Sequence, residues 1–114
     1  MQIHYLEIVT QEVDSVCATY EAINQVNFSP PDPALGNART ASLADGSKIG
    51  VRSPLSEWEE PIVRPYFLVQ NIDEAVTSVE KLGGEIAHPP LEIPGHGTFA
   101  IYILGLNNHG LWQL

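Results

Sequence analysis

Apolar positions along this chain follow two periods, and the switches between them mark the elements. Ile3 to Thr10 (IHYLEIVT) is rich in β-formers and reads as a strand. Ile3, Tyr5, Glu7 and Val9 then share one face, and His4, Leu6 and Ile8 the other. From about Glu12 to Asn24 the period lengthens, with Val13, Val16, Cys17, Tyr20 and Ile23 at helical spacing. Val26 to Leu35 carries Pro30, Pro31 and Pro33, so it is a short edge strand or a loop but not a central strand. Ala38 to Ala44 and Lys48 to Ser53 read as strands joined by an Asp45-Gly46 hairpin turn. Pro54 to Pro61 (PLSEWEEP) reads as an exposed loop.

The same order then begins again. Arg64 to Gln70 reads as a strand, and Asp73 as the N-cap of a helix with Ala75, Val76, Val79 and Leu82 on one face. Gly83-Gly84 ends that helix. A short strand at Glu85 to His88 precedes the loop-like PPLEIPGHG. Thr98 to Leu104 is strongly β, Asn107 to Gly110 reads as a turn, and Leu111 to Leu114 as a last strand. The two copies align at an offset of 59, with Glu7 on Tyr66, Asp14 on Asp73 and Ile23 on Leu82. The expected fold class is therefore α+β: two βαβββ modules forming a curved, cup-like mixed sheet with helices outside. The expected organisation is a single domain, with module one at about 1–60 and module two at about 61–114. Residues on the concave face of such a sheet converge on one cavity, a natural small-molecule site.

Composition narrows the partners. The 114 residues carry 14 acidic and only 5 basic side chains, a formal net charge of −9. That balance argues against nucleic acid and against an anionic membrane surface, both of which need clustered Lys and Arg. No apolar run is long enough for a membrane span. The lone Cys17 excludes an intrachain disulfide and suits a reducing compartment, so a cytoplasmic protein is expected.

Several residues carry the resemblance to a known group. Gly83-Gly84, Pro89-Pro90, Ile93-Pro94-Gly95, Gly97 and the closing Gly110-Leu111-Trp112-Gln113 resemble the second half of glyoxalase-like proteins. Tyr5 to Thr10 with its following helix resembles their first half. The chain thus resembles the glyoxalase/bleomycin-resistance/dioxygenase (vicinal oxygen chelate) superfamily over essentially its whole length. Asn37 to Asp45 and the EIPGHGTFAIY run also resemble short members that carry a hydroxylase label. The superfamily holds lyases, isomerases, epimerases, oxygenases and metal-free bleomycin binders, so the resemblance does not choose between catalysis and binding. It implies a homodimer. It also implies four strand positions that hold a divalent metal through His, Glu or Gln.

Carried onto this chain, those positions fall at Glu7, Tyr66, Gln113 and either Val51 or Arg52. Glu7 is a good donor, Gln113 a weak one and Tyr66 a poor one; Val51 and Arg52 are none. No bound metal or other cofactor is expected, unless a one-residue shift of the first strand brings His4 inward. The candidate site is instead Glu7 as catalytic base, with Tyr5, Arg39, Arg52, Arg64, Tyr66, His96 and Gln113 as ligand-binding residues. Strand arginines can equally face solvent; if two face the cup they bind a carboxylate through bidentate hydrogen bonds. His88 and His109 have no partner legible in the sequence. Trp58 and Trp112 stay open between core, interface and pocket wall, and Cys17 reads as packing. Three functions remain: an enzyme acting on a small polar or anionic molecule, a non-catalytic sequestering protein, or an assembly subunit.

Overall fold

The computed structural model describes residues 1–114 and contains seven strands and two helices. The strands are β1 (Ile3–Val9), β2 (Arg39–Ser42), β3 (Lys48–Arg52), β4 (Ile62–Leu68), β5 (Glu85–Ile93), β6 (Gly97–Leu104) and β7 (Asn107–Gln113). The helices are α1 (Val13–Asn24) and α2 (Ile72–Lys81). The α+β class and the twice-used order of strand, helix and strands agree with the sequence. The chain divides into two compact units, Tyr5–Val63 and Met1–His4 with Arg64–Leu114.

In the unit Tyr5–Val63 the strand order is β2-β3-β1, with β1 parallel to β3 and the β2–β3 hairpin antiparallel. One face packs on α1: Ile8, Ala41 and Val51 meet Cys17 and Phe28, with Val13, Val16 and Tyr20 around them. Alternation therefore sends Tyr5, Glu7, Gly50 and Arg52 to the opposite face. The proline-rich segment forms no strand. It retains the Ser29 N–H bond to the Thr40 carbonyl, an isolated bridge at Asp32–Ala38 and a 3-10 turn at Pro33–Leu35.

In the other unit the order is β4-β7-β6-β5, again with the first strand parallel to the last. Ile72, Ala100 and Leu111 form the core under α2, with Val69, Ala75, Val76 and Tyr102 packed against them. Three expectations need correction here. The α2 N-cap is Asn71, not Asp73: Asn71 is extended and its side chain accepts from the Glu74 N–H at 3.0 Å. Strand β5 runs on through Pro89-Pro90 to Ile93, because it is an edge strand whose register shifts absorb residues that cannot donate. The last turn is Gly105-Leu106, and Asn107 to Gly110 belong to β7. Both turn residues have positive φ, 57° and 66°, as a tight two-residue hairpin demands.

Candidate ligand-binding site

The two parallel strand pairs share one register. Glu7 lies opposite Gly50, and Tyr66 lies opposite Gly110. The offset between copies is thus 59 along β1 and β4 but 60 along β3 and β7, which puts Arg52 where the second copy has Trp112. Gln113 then corresponds to Ser53. Both glycines are needed for close approach. A Cβ at Gly50 would lie 1.6 Å from the Tyr5 Oη, and one at Gly110 would lie 2.2 Å from the Tyr66 ring. Each tyrosine therefore lies flat across the strand beside its own, on the face away from the helix.

Around this shared frame the chemistry differs. In Tyr5–Val63 the face is ionic. Arg52, 6% exposed, donates from Nε to Glu7 Oε2 at 2.8 Å. Its two terminal nitrogens grip both oxygens of Glu59, each at 2.8 Å, and Nη1 also reaches the Ser53 carbonyl at 3.2 Å. The Glu59 hydrogen bonds, joined by the charge of Glu7, outweigh burial and raise the Arg52 guanidinium above its ordinary range. Glu59 also accepts from the Leu55 N–H at 2.8 Å, so the segment Ser53–Glu60 straps across Arg52. Arg39 is turned elsewhere. It bonds Asp14 of α1 at 2.9 Å and the Ser29 carbonyl at 3.0 Å.

In the second unit the equivalent face is aromatic. Tyr66 and Trp112, each 4% exposed, meet edge to face with centroids 5.7 Å apart. Phe99 meets Tyr66 at 6.2 Å, His88 stacks on Phe99 at 4.8 Å, and His4 lies 5.8 Å from Trp112. The Trp112 indole N–H donates to the His96 carbonyl at 3.1 Å, which fixes the β5–β6 turn against the ring. That turn, with Glu92, Ile93, His96 and Leu114, lines an open depression of about 500 Å³. Arg64 shares the strand face of Tyr66 and is 9% exposed. Gln113 does not share it. Its side-chain oxygen accepts from the Ile72 N–H at 2.7 Å and so caps α2 on the helix side.

Of the residues singled out in the sequence, the structure joins Tyr5, Glu7 and Arg52 on one face and Arg64 and Tyr66 on another, with His96 at the latter's rim. Arg39 and Gln113 are occupied on the helix sides. Sequence reasoning missed Glu59, Phe99 and His88. Glu59 is one of three glutamates in an exposed loop, and no spacing distinguishes it. Phe99 and His88 were within reach, because strand parity beside Trp112 could have placed Phe99.

The divalent metal that the resemblance implies does not fit these residues. A guanidinium stands 2.8 Å from Glu7, and the equivalent of Glu7 in the second copy is a ring enclosed by two other rings. No three His, Cys, Asp or Glu side chains are grouped to hold an ion.

No family model matches the chain. In sequence it is 28% identical over 96 residues to "Putative glyoxylase CFP32" of Mycobacterium tuberculosis, a match covering 83% of this chain and 37% of that protein. The chain thus spans little more than a third of that relative's length. In structure it is similar to the hypothetical protein BH1468 of Bacillus halodurans, with a TM-score of 0.76 at 16% identity, covering 99% of this chain and 94% of that one. Methylmalonyl-CoA epimerase of Mycobacterium tuberculosis matches with a TM-score of 0.75 at 11% identity, covering 96% and 85%. The duplicated topology and these structural likenesses show that the chain has the glyoxalase/bleomycin-resistance (vicinal oxygen chelate) fold, and its sequence is similar to that of a putative glyoxylase.

Proposed function

We propose that the protein binds a small organic carboxylate on the aromatic face of the unit Arg64–Leu114. The observation that carries this reading is the Tyr66–Phe99–Trp112 cluster opposite the α2 side of the sheet, with Arg64 on the same strand face. Rings and an arginine suit a ligand with a carbon skeleton and one anionic end. The superfamily's bleomycin binders supply the precedent for binding without chemistry. Thermal unfolding with benzoate, phenylacetate and lactate tests the reading, each paired with its amide. The carboxylates raise the midpoint in a saturable way and the amides do not. Equal shifts from both members of each pair would remove Arg64 from the reading.

A second reading is catalytic, with Glu7 as base, and the structural likeness to an epimerase favours it. Epimerisation next to a thioester carbonyl needs a group that removes and returns a proton, and a carboxylate can do this. Incubation with methylmalonyl-CoA in heavy water tests it. Deuterium entering at the carbon between the carbonyls, and lost in Glu7→Gln, supports catalysis; no exchange leaves the binding reading. The reading further takes the protein as a cytoplasmic homodimer. Exposed Val63, outside the loop that follows β3, offers surface for a second copy, and sedimentation at micromolar concentration checks the assembly.

A further inference from the structure

The ionic face of Tyr5–Val63 is built like an anion site with its anion already in place. We propose that Arg52 is a second carboxylate-binding site, separate from the aromatic face, and that Glu59 is its tethered competitor. A small monocarboxylate entering there displaces Glu59 and releases the strap Ser53–Glu60.

Three features support this. First, the Arg52–Glu59 contact is fork to fork, two parallel bonds at 2.8 Å, the geometry in which arginine takes any free carboxylate. Second, the guanidinium is held independently of the strap. Glu7 fixes Nε at 2.8 Å, and the chain at Gly36 lies so close that a Cβ there would stand 3.3 Å from Arg52 Cδ. Arg52 thus keeps its aim when Glu59 leaves. Third, the strap itself is lightly held. Ser53, Leu55, Ser56, Glu57, Trp58 and Glu60 are all exposed. Glu59 supplies the acceptor for the Leu55 N–H at 2.8 Å, so its departure frees that amide. Exposed segments with few packed side chains open at the low end of local stability.

A ligand competing with a carboxylate on a short tether faces an effective concentration in the millimolar range. The wild-type site therefore binds weakly and Glu59→Ala unmasks it. The test uses acetate, with acetamide as the neutral control and chloride to match ionic strength. In Glu59→Ala, acetate shifts the Arg52 Nε–H resonance and raises the melting temperature, both saturably, and acetamide does neither. In the wild type the same saturation needs at least about tenfold more acetate, and acetate speeds amide exchange at Leu55. An Arg52 signal in Glu59→Ala that ignores acetate overturns the proposal. So does Leu55 exchange in the wild type that is independent of acetate. Loss of the folded state in Glu59→Ala overturns it as well, because Glu59 would then be a core partner and not a displaceable one.

Discussion

The two copies keep the same frame and fill it with opposite chemistry. In each, a tyrosine covers a glycine on the neighbouring parallel strand, Tyr66 from directly opposite Gly110 and Tyr5 from two residues before the position opposite Gly50. At equivalent positions, Glu7 and Arg52 in one copy stand where the other has Tyr66 and Trp112, and Tyr5 stands where the other has Arg64. The helix faces are alike, apolar in both. Divergence lies on the face that α1 or α2 does not cover. A duplicated fold can therefore keep its backbone requirements while one copy becomes ionic and self-closed and the other aromatic.

The largest effect should come from breaking the ionic side. Arg52→Met leaves Glu7 and Glu59 without their shared cation, and Glu7 is only 8% exposed. Loss of one partner from such a buried pair costs about 3–5 kcal/mol, measured by denaturant unfolding. Next come the glycines, and here the copies should differ. Gly110→Ala drives a Cβ into the body of the buried Tyr66 ring, whereas at Gly50 the nearest atom is the Tyr5 hydroxyl at the ring's end. Gly110→Ala should cost about 3 kcal/mol and Gly50→Ala less, within the usual range for overpacking. Equal costs would mean that Tyr5 yields no more readily than Tyr66.

These differences also explain what the sequence could tell. The strand faces of β1 were legible because residues alternate strictly there, so Glu7 and Tyr5 could be placed together. The α2 cap was misplaced by two residues because Asn71 and Asp73 both fit the pattern, and only the backbone bend decides. The last turn was misread because Asn107 to Gly110 has the better turn composition. The chain instead turns at Leu106, a residue 96% exposed and held at φ 66°. Gln113 could not be assigned to a face without the β6–β7 register, which sends it toward α2. The Arg52–Glu59 pair was invisible because it joins a strand end to a loop without periodicity.

Two smaller predictions concern positions outside either site. Leu106→Asn removes much of the cost of a left-handed Leu and should stabilise the protein by about 0.5–1 kcal/mol. Cys17 is fully buried, and burial raises its thiol above the ordinary value. The fold thus favours the neutral thiol. The stability it contributes is complete below the ordinary thiol pKa and is lost as the pH rises past it. The stability gap between wild type and Cys17→Ala, followed by denaturant unfolding, should therefore narrow from pH 7 to pH 10.

The aromatic side carries the functional reading, and Trp112 reports on it directly. The chain has two tryptophans, and Trp58 is 82% exposed. In Trp58→Phe all indole emission comes from Trp112. Titration with phenylacetate should change that emission saturably, phenylacetamide should not, and Arg64→Gln should weaken the response at least about tenfold, as loss of a charged hydrogen-bonding partner does. Emission that stays constant across the carboxylate series would contradict ligand binding on this face.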